Sequence, residues 1–101
     1  MFKFKMEIAL NEQGLTADGY DVAEAYNYLD NLFESLNIEK TSQGFFEGQG
    51  MSQDFGHFGG AIMILKQENW FMPFVDKWLW YTDTGVEDLA AYYRNRHGTS
   101  A

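Results

Sequence analysis

The residues whose spacing most suggests chemistry are the glycines of the segment 44–60, GFFEGQGMSQDFGHFGG. Closely spaced glycines can let backbone amides converge on a phosphate at the start of a helix. Gly48 and Gly50 match the first two positions of a dinucleotide-binding pattern, but Gln53 occupies the third. The stretch 41–65 also contains no lysine or arginine that could neutralise a phosphate. We therefore predict a loop, with neither a nucleotide site nor another cofactor.

Three side chains of the same segment are types that bind metals, namely Glu47, Asp54 and His57. Their spacing matches neither the calcium-binding loop pattern nor the paired ligands of a zinc site. The chain contains no cysteine, which excludes thiolate ligands, disulfides and thiol nucleophiles. It also lacks a Gly-x-Ser-x-Gly motif that would mark a serine nucleophile. We predict no metal site and no catalytic residue, which favours a protein that is not an enzyme.

Neighbouring carboxylates could supply general acid–base chemistry, and two such pairs are present. Asp18 and Asp21 precede one predicted helix, and Glu87 and Asp88 lie near the start of another. Negative charge at a helix start is favoured by the helix dipole and by the unpaired backbone amides there. The sequence therefore predicts a structural role for both pairs.

Phenylalanine is the other unusual feature of the segment 44–60, which holds four of the chain's nine. Large aromatic side chains are rarely all exposed, so these either fold back onto the sheet or anchor a partner. A predicted helix presents further polar and aromatic side chains beside them. The candidate partner-contact residues are Phe45, Phe46, Phe55 and Phe58 of the segment, with Tyr28, Asp30 and Glu34 of the helix.

The charge balance narrows the class of partner. Fifteen acidic residues against seven basic ones give a net charge of −8 over 101 residues. This charge disfavours direct binding to nucleic acid or to an anionic membrane, and it matches a basic protein surface. The N-terminal stretch alternates in polarity, and no apolar run reaches the length of a signal peptide core or a membrane span. We predict a cytoplasmic protein that does not associate with membranes.

The first two elements have distinct periodicities. Residues from Phe2 to Leu10 alternate between apolar and polar side chains, which predicts a strand with one buried face. Asp21 stands three residues before Glu24, an arrangement that caps the start of a helix. Apolar side chains then recur at helical spacing as far as Leu36.

The glycine-rich segment separates two further predicted strands. Residues 38–46 alternate poorly and contain several polar side chains, which is typical of an edge strand. The run AIMIL at 61–65 is short and apolar, which favours a buried strand. The segment 44–60 would then form the long tip of a hairpin.

The C-terminal third contains an aromatic stripe and a capping pattern. The stripe predicts a helix over residues 70–80, and a competing interpretation makes 79–82 a fourth strand. Thr84 and Glu87 have the spacing of a capping box, which predicts that the last helix begins there.

Together these elements predict an α+β fold in the order β-α-β-β-α-(β)-α. Three to four antiparallel strands would form a small sheet with the helices packed on one face. Residues 1–97 would form a single domain, and 98–101 a frayed C-terminal tail. The order is compatible with a ferredoxin-like arrangement, which by itself carries no function.

Two hypotheses of function follow. The first is a small acidic non-catalytic interaction module that binds a basic protein, nucleic-acid-binding proteins included, as accessory or inhibitory proteins of phages and mobile elements do. The alternative is a dimeric ferredoxin-like protein that binds a small ligand, or a minor enzyme, with an aromatic pocket built from Trp70, Phe74 and Trp78. A homodimer formed through the sheet is a third interpretation.

Overall fold

The computed structural model describes the backbone of residues 2–98 and the side-chain environments as far as Arg94. The described chain is an α+β protein with five antiparallel strands in one open sheet and five helices. The elements are β1 Lys5–Leu10, α1 Glu12–Ala17, α2 Val22–Ser35, β2 Glu39–Ser42, β3 Phe45–Glu47, α3 Asp54–Gln67, α4 Phe71–Phe74, β4 Val75–Thr82, β5 Gly85–Asp88 and α5 Leu89–Gly98. The sheet therefore has more strands than the three to four predicted.

The strand order across the sheet is β2-β3-β1-β4-β5, and every neighbouring pair is antiparallel. β1 occupies the centre, between β3 and β4. The connection through α2 joins β1 to β2, and the connection through α3 joins β3 to β4. Both connections therefore cross over a strand that lies between the two strands they join.

The predicted alternation of the first strand is confirmed. Met6, Ile8 and Leu10 are buried, whereas Lys5 and Glu7 project from the opposite face. Side chains alternate across a strand, so the buried side chains of β1 mark the helix-covered face of the sheet and the others mark its open face.

The predicted helix after Asp21 is also confirmed. The Asp21 side chain accepts a hydrogen bond from the Glu24 amide at 3.1 Å, which caps the start of α2. Phe33 of this helix stacks on Phe46 of β3 with ring centroids 4.0 Å apart. α2 thus covers the β3 side of the sheet.

The prediction of a strand at 61–65 is wrong, because these residues form the middle of α3. Ala61 and Leu65 are buried and Met63 is exposed, which is a helical and not a two-residue period. A short apolar run does not distinguish a strand from a buried helix turn. The hairpin is instead β2–β3, with Gly44 at its turn.

The helix predicted over 70–80 is a single short helix, α4, followed by strand β4. The competing interpretation of 79–82 as strand is therefore closer, although the strand begins earlier, at Val75. Val75 and Trp78 are fully buried, and β4 pairs with β1 along its length. Pairing and burial of the aromatic side chains override the local helical spacing.

The capping box predicted at Thr84 and Glu87 is wrong, because residues 85–88 form β5. The last helix begins after Asp88, whose carboxylate accepts a hydrogen bond from the Ala91 amide at 3.0 Å. Between β1 and α2 the chain also forms the short helix α1, for which no element was predicted.

The buried side chains of β1, β3, β4 and the helices form one hydrophobic cluster. The single domain over 1–97 stays a prediction. Of the predicted tail at 98–101, Gly98 is the last residue of α5, and 99–101 lie outside the described residues. None of the helices in the described part of the chain combines the length and the apolar character needed to cross a membrane.

Candidate interaction surface

Within the glycine-rich segment, the backbone of residues 49–51 surrounds a carboxylate of the same chain. We call this loop the Asp54 cradle. Asp54, the first residue of α3, is only 2% exposed. Its carboxylate accepts hydrogen bonds from the backbone amides of Gln49 at 3.2 Å, Gly50 at 2.7 Å and Met51 at 3.2 Å. The loop therefore gathers amides around an anion, and that anion is Asp54.

Two glycines make this close approach feasible. Gly50 has φ +80°, a conformation that glycine adopts without strain. A Cβ on Gly48 would lie 2.6 Å from an Asp54 carboxylate oxygen and 3.2 Å from the Phe58 ring. An external anion would have to displace Asp54 to reach these amides.

Asp54 therefore has a structural role that the sequence did not indicate, because the sequence analysis weighed Asp54 only as a metal ligand. Among the described side chains, no three histidine, aspartate or glutamate groups come together in a way that could hold a metal ion. The available signal was an acidic residue four and six positions after two glycines, which indicates that amides can converge there but not that Asp54 is the anion they meet.

Beyond Asp54, α3 presents an apolar surface to solvent. Phe55, Gly59 and Met63 follow one another at four-residue intervals and so lie along one side of the helix. Phe55 is 62% exposed and Met63 is 51% exposed, and Ile64 is also exposed. No aspartate, glutamate, lysine or arginine occurs from residue 55 to residue 65. We call Phe55, Gly56, Gly59 and Met63, which lie within about 100° of one another around the helix axis, the α3 face.

At the two glycines of the α3 face, no steric contact with the described chain requires the side chain to be absent. A Cβ at Gly56 or at Gly59 would meet no described atom within 4 Å. Gly60 differs, because a Cβ there would contact a methyl group of Leu36, the residue that follows α2, at 4.0 Å. Gly56 and Gly59 thus leave a shallow depression in the helix surface between the larger apolar side chains.

The four phenylalanines of the segment separate into buried and exposed pairs. Phe46 and Phe58 are core residues, which corrects their assignment as partner contacts, because a buried ring offers no surface to a partner. Phe55 is exposed on the α3 face. Phe45 is 43% exposed but projects from the open face of the sheet, opposite Glu7. The two exposed rings therefore belong to different surfaces.

The three candidates on α2 are not joined to either ring. The Tyr28 hydroxyl donates to the Glu68 carboxylate at 2.8 Å, near the end of α3 opposite to Phe55. Asp30 forms an ion pair with Lys40 at 2.9 Å, so the side chains of Tyr28 and Asp30 both have partners within the chain. Glu34 is exposed.

The environment of Tyr28 shifts its ionisation. Burial raises the pKa of the Tyr28 hydroxyl from 10.0 to about 12, and the hydrogen bond to Glu68 and the negative charge of that carboxylate act in the same direction. The Trp70 ring packs edge-on against Tyr28 with centroids 5.5 Å apart. The neutral phenol is therefore the form that the fold stabilises.

We expect Tyr28→Phe to lower the free energy of unfolding by about 1 kcal/mol near neutral pH, the usual value of one hydrogen bond. The folded pKa lies above the unfolded one, so this contribution is present below pH 10.0 and is lost as the pH rises toward 12. Urea unfolding of both proteins at about pH 8 and about pH 11 measures the difference. An equal difference at both pH values would contradict the assignment.

The aromatic pocket predicted from Trp70, Phe74 and Trp78 does not form. Trp78 is fully buried, donates its indole N–H to the Met6 sulfur at 3.2 Å, and fills the core. Trp70 packs against Tyr28, whereas Phe74 packs against Tyr20, which follows α1. The three rings therefore line no common site.

The open face of the sheet carries a concave region that the sequence did not indicate. A cavity of about 450 Å³ there is bordered by Phe45 and Tyr81, and charged side chains surround it. Glu7 accepts a hydrogen bond from the Tyr81 hydroxyl at 3.2 Å and pairs with Lys77 at 3.4 Å. This face carries charged side chains, whereas the α3 face has none, so the α3 face is the more apolar of the two.

Comparison with known proteins adds no family to this picture. No protein-family model, curated protein or solved structure matches the chain. The geometry of the α3 face therefore carries the functional argument.

Proposed function

We propose that this protein is a small non-catalytic interaction module that binds a basic protein partner through the α3 face. One observation carries the proposal: Gly56 and Gly59 lie in the interior of α3 on its outer side, a Cβ at either position would meet no atom of another part of the described chain within 4 Å, and the side chains of Phe55 and Met63 on the same side are exposed.

The glycines are costly unless something approaches them. Glycine in a helix interior is about 1 kcal/mol less favourable than alanine, and the described part of the chain offers no compensating contact at Gly56 or Gly59. Absence of a Cβ lets another backbone or a bulky side chain come close to the helix axis. A partner that fits the depression accounts for both residues.

The exposed apolar side chains support the same surface. Phe55 and Met63 are exposed on one side of a helix that has no charged residue between 55 and 65, in a chain that is 22% charged. Exposed apolar side chains with no charge between them are typical of interaction sites, where large side chains carry most of the binding energy.

The sign of the partner's charge follows from the rim of the surface. Glu87 lies directly opposite Trp80 in the β4–β5 pairing and so projects from the helix-covered side of the sheet. Glu34 is exposed near the end of α2, two residues before Leu36, whose methyl group lies beside Gly60 of α3. Carboxylates on either side of an apolar surface, in a chain of net charge −8, favour a partner with a basic rim. Accessory or inhibitory proteins of phages and mobile elements are one setting for such a module.

The ferredoxin-like arrangement is also part of this proposal. It is supported by the element order β1-α2-β2-β3-α3-β4 and by the sheet order β2-β3-β1-β4. β5 and α5 would then be additions at the β4 side of the sheet.

We expect the double variant Gly56→Ala, Gly59→Ala to fold more stably and to bind its partner less well. Each alanine should add up to about 1 kcal/mol to the free energy of unfolding, because helix propensity improves and no clash arises. The same methyl groups would fill the depression that the partner occupies. A higher melting temperature with weaker binding is a combination that loss of structure cannot produce.

The measurement is photo-crosslinking from an amino acid introduced at Met63, with identification of the crosslinked protein and titration of the purified partner. Asn27→Ala, at an exposed position of α2, is the matched control, since it also improves helix propensity but lies off the α3 face. Undiminished affinity of the double-alanine variant would refute the proposal. A crosslink only to a second copy of the chain would replace the basic partner with a homodimer.

A further inference from the structure

The cavity on the open face of the sheet has the size of a small-molecule site. Its volume of about 450 Å³ lies within the range of about 300 to 1,000 Å³ that is typical of such sites. Side chains from three neighbouring strands border it: Phe45 and Glu47 of β3, Lys5 of β1 and Tyr81 of β4. We call it the open-face cavity.

Two aromatic rings at this cavity are free to stack on a ligand. Phe45 is 43% exposed, and Tyr81 is half-buried. Every other described aromatic side chain that is not buried contacts a neighbouring ring, whereas these two contact none. The Tyr81 hydroxyl donates to Glu7 at 3.2 Å, which holds this ring at the border of the cavity. Flat ligands stack on aromatic rings of this kind.

The charged groups of the cavity place a donor beside an acceptor. Lys5 and Glu47 lie directly opposite each other in the β1–β3 pairing, and the Lys5 Nζ is 3.8 Å from the Glu47 Oε2. This separation is longer than a hydrogen bond, and neither side chain has another polar partner in the described part of the chain. A ligand that presents an acceptor to Lys5 and donors to Glu47 would therefore satisfy both groups.

The amino-lactam edge of a planar ring has this arrangement of groups. In guanine a carbonyl oxygen, which accepts, stands next to a ring N–H and an amino group, which both donate. A carboxylate can accept from both of these donors, and an ammonium can donate to the carbonyl. Adenine has the reverse order, because its amino group would face Lys5 and its unprotonated ring nitrogen would face Glu47.

The charge of the site favours a ring that carries no phosphate. Lys5 is the one basic side chain among the described residues that line the cavity, and the negative charge of Glu47 opposes it. The chain as a whole has a net charge of −8, which repels phosphate groups. A ring held by its edge also needs no converging backbone amides, so this site differs from the phosphate loop that the sequence argued against.

We propose that the open-face cavity binds the amino-lactam ring of a guanine nucleoside or a pterin. The ring would stack on Phe45 and Tyr81, and its edge would form hydrogen bonds with Lys5 and Glu47. This activity goes beyond the proposed function, because it uses the face of the sheet opposite to the helices and requires no protein partner.

The test uses the full chain and three compounds, namely guanosine, biopterin and adenosine, with NMR titration of the backbone amides. We expect guanosine to shift the signals of Lys5, Glu47 and Tyr81, with affinity about tenfold higher than that of adenosine. Glu47→Gln should lose this preference, because a carboxamide cannot accept from two neighbouring donors with a charged group. Glu12→Gln is the matched control, since Glu12 is exposed and does not line the cavity.

Phe45→Ala should weaken the binding of guanosine by about tenfold, the usual effect of removing one ring that stacks on a base. The exposed ring contributes little to folding, so circular dichroism should show an intact protein. Unchanged affinity in this variant would contradict the stacking role of Phe45.

The two amino-lactam compounds distinguish the source of the ring. Tighter binding of guanosine would identify a nucleoside and tighter binding of biopterin a pterin, and each result supports the site. The inference would be overturned by absence of shifts at the open face, by equal affinities for guanosine and adenosine, or by a preference that survives Glu47→Gln. The variant Gly56→Ala, Gly59→Ala should bind guanosine normally, so failure of this test leaves the α3 proposal intact.

Discussion

Replacing Asp54 with alanine should lower the free energy of unfolding by about 3 to 5 kcal/mol, among the largest losses expected from any single substitution in this chain. The carboxylate is buried and accepts from three backbone amides. Hydrogen bonds to a charged acceptor contribute about 1.5 to 3 kcal/mol each, although their sum is not additive. Without Asp54 the amides of Gln49, Gly50 and Met51 are left unpaired in a partly buried loop.

Urea unfolding followed by tryptophan fluorescence and circular dichroism measures this loss. Asp54→Asn keeps the shape of the side chain and removes its charge, so its loss should be smaller than that of Asp54→Ala. Asp76→Asn is the matched control, because Asp76 is exposed and the same change there should alter stability by less than about 0.5 kcal/mol. Equal unfolding midpoints for Asp54→Ala and the unaltered protein would show that the cradle does not hold α3 in place.

The Asp54 cradle shows how far sequence patterns reached in the segment 44–60. The loop predicted over 44–60 is confined to residues 48–53, because β3 and the start of α3 occupy nearly all the rest. Gly50 adopts a positive φ, and the absence of a cofactor site stays a prediction. The burial of Asp54 could not be predicted, because it depends on the packing of Phe58 and the helix that follows. Glycine spacing indicates that amides can converge, but it does not indicate which anion they meet.

The same limit explains the misassigned elements. β1 and α2 were predicted because their signals are local: a two-residue alternation in one, and a capping aspartate with a helical stripe in the other. AIMIL at 61–65 gave no such signal, since Met63 and Ile64 are apolar yet exposed, so the helix is not amphipathic. β4 was predicted as helix because its strand pairing with β1 is a long-range contact that local spacing does not record.

The misassignment of α3 and its proposed function have one physical origin. A helix whose outer side is polar would have been recognised from its period. α3 lacks that period because Phe55, Met63 and Ile64 occupy positions that solubility alone would fill with charged residues. The departure from an amphipathic pattern is therefore what an interaction surface is expected to produce, and it coincides with the uncontacted glycines Gly56 and Gly59.

The other large effect concerns two adjacent phenylalanines of β3. Phe46→Ala should lower the free energy of unfolding by about 3 to 5 kcal/mol, because the ring is buried and its removal leaves a cavity beneath α2. Phe45→Ala should cost less than about 1 kcal/mol, because Phe45 is 43% exposed on the open face. Thermal and urea unfolding of the two variants measure the contrast.

The pair provides its own control, since the two substitutions are chemically identical and one residue apart. Phe46 pairs with Met6 and Phe45 pairs with Glu7, so the register of β3 against β1 decides which ring is buried. A slip of one residue would exchange the two faces and reverse the order of the effects. If Phe45→Ala proved the more destabilising, the register would be wrong, and the strand leading into the Asp54 cradle and α3 would have to be placed anew.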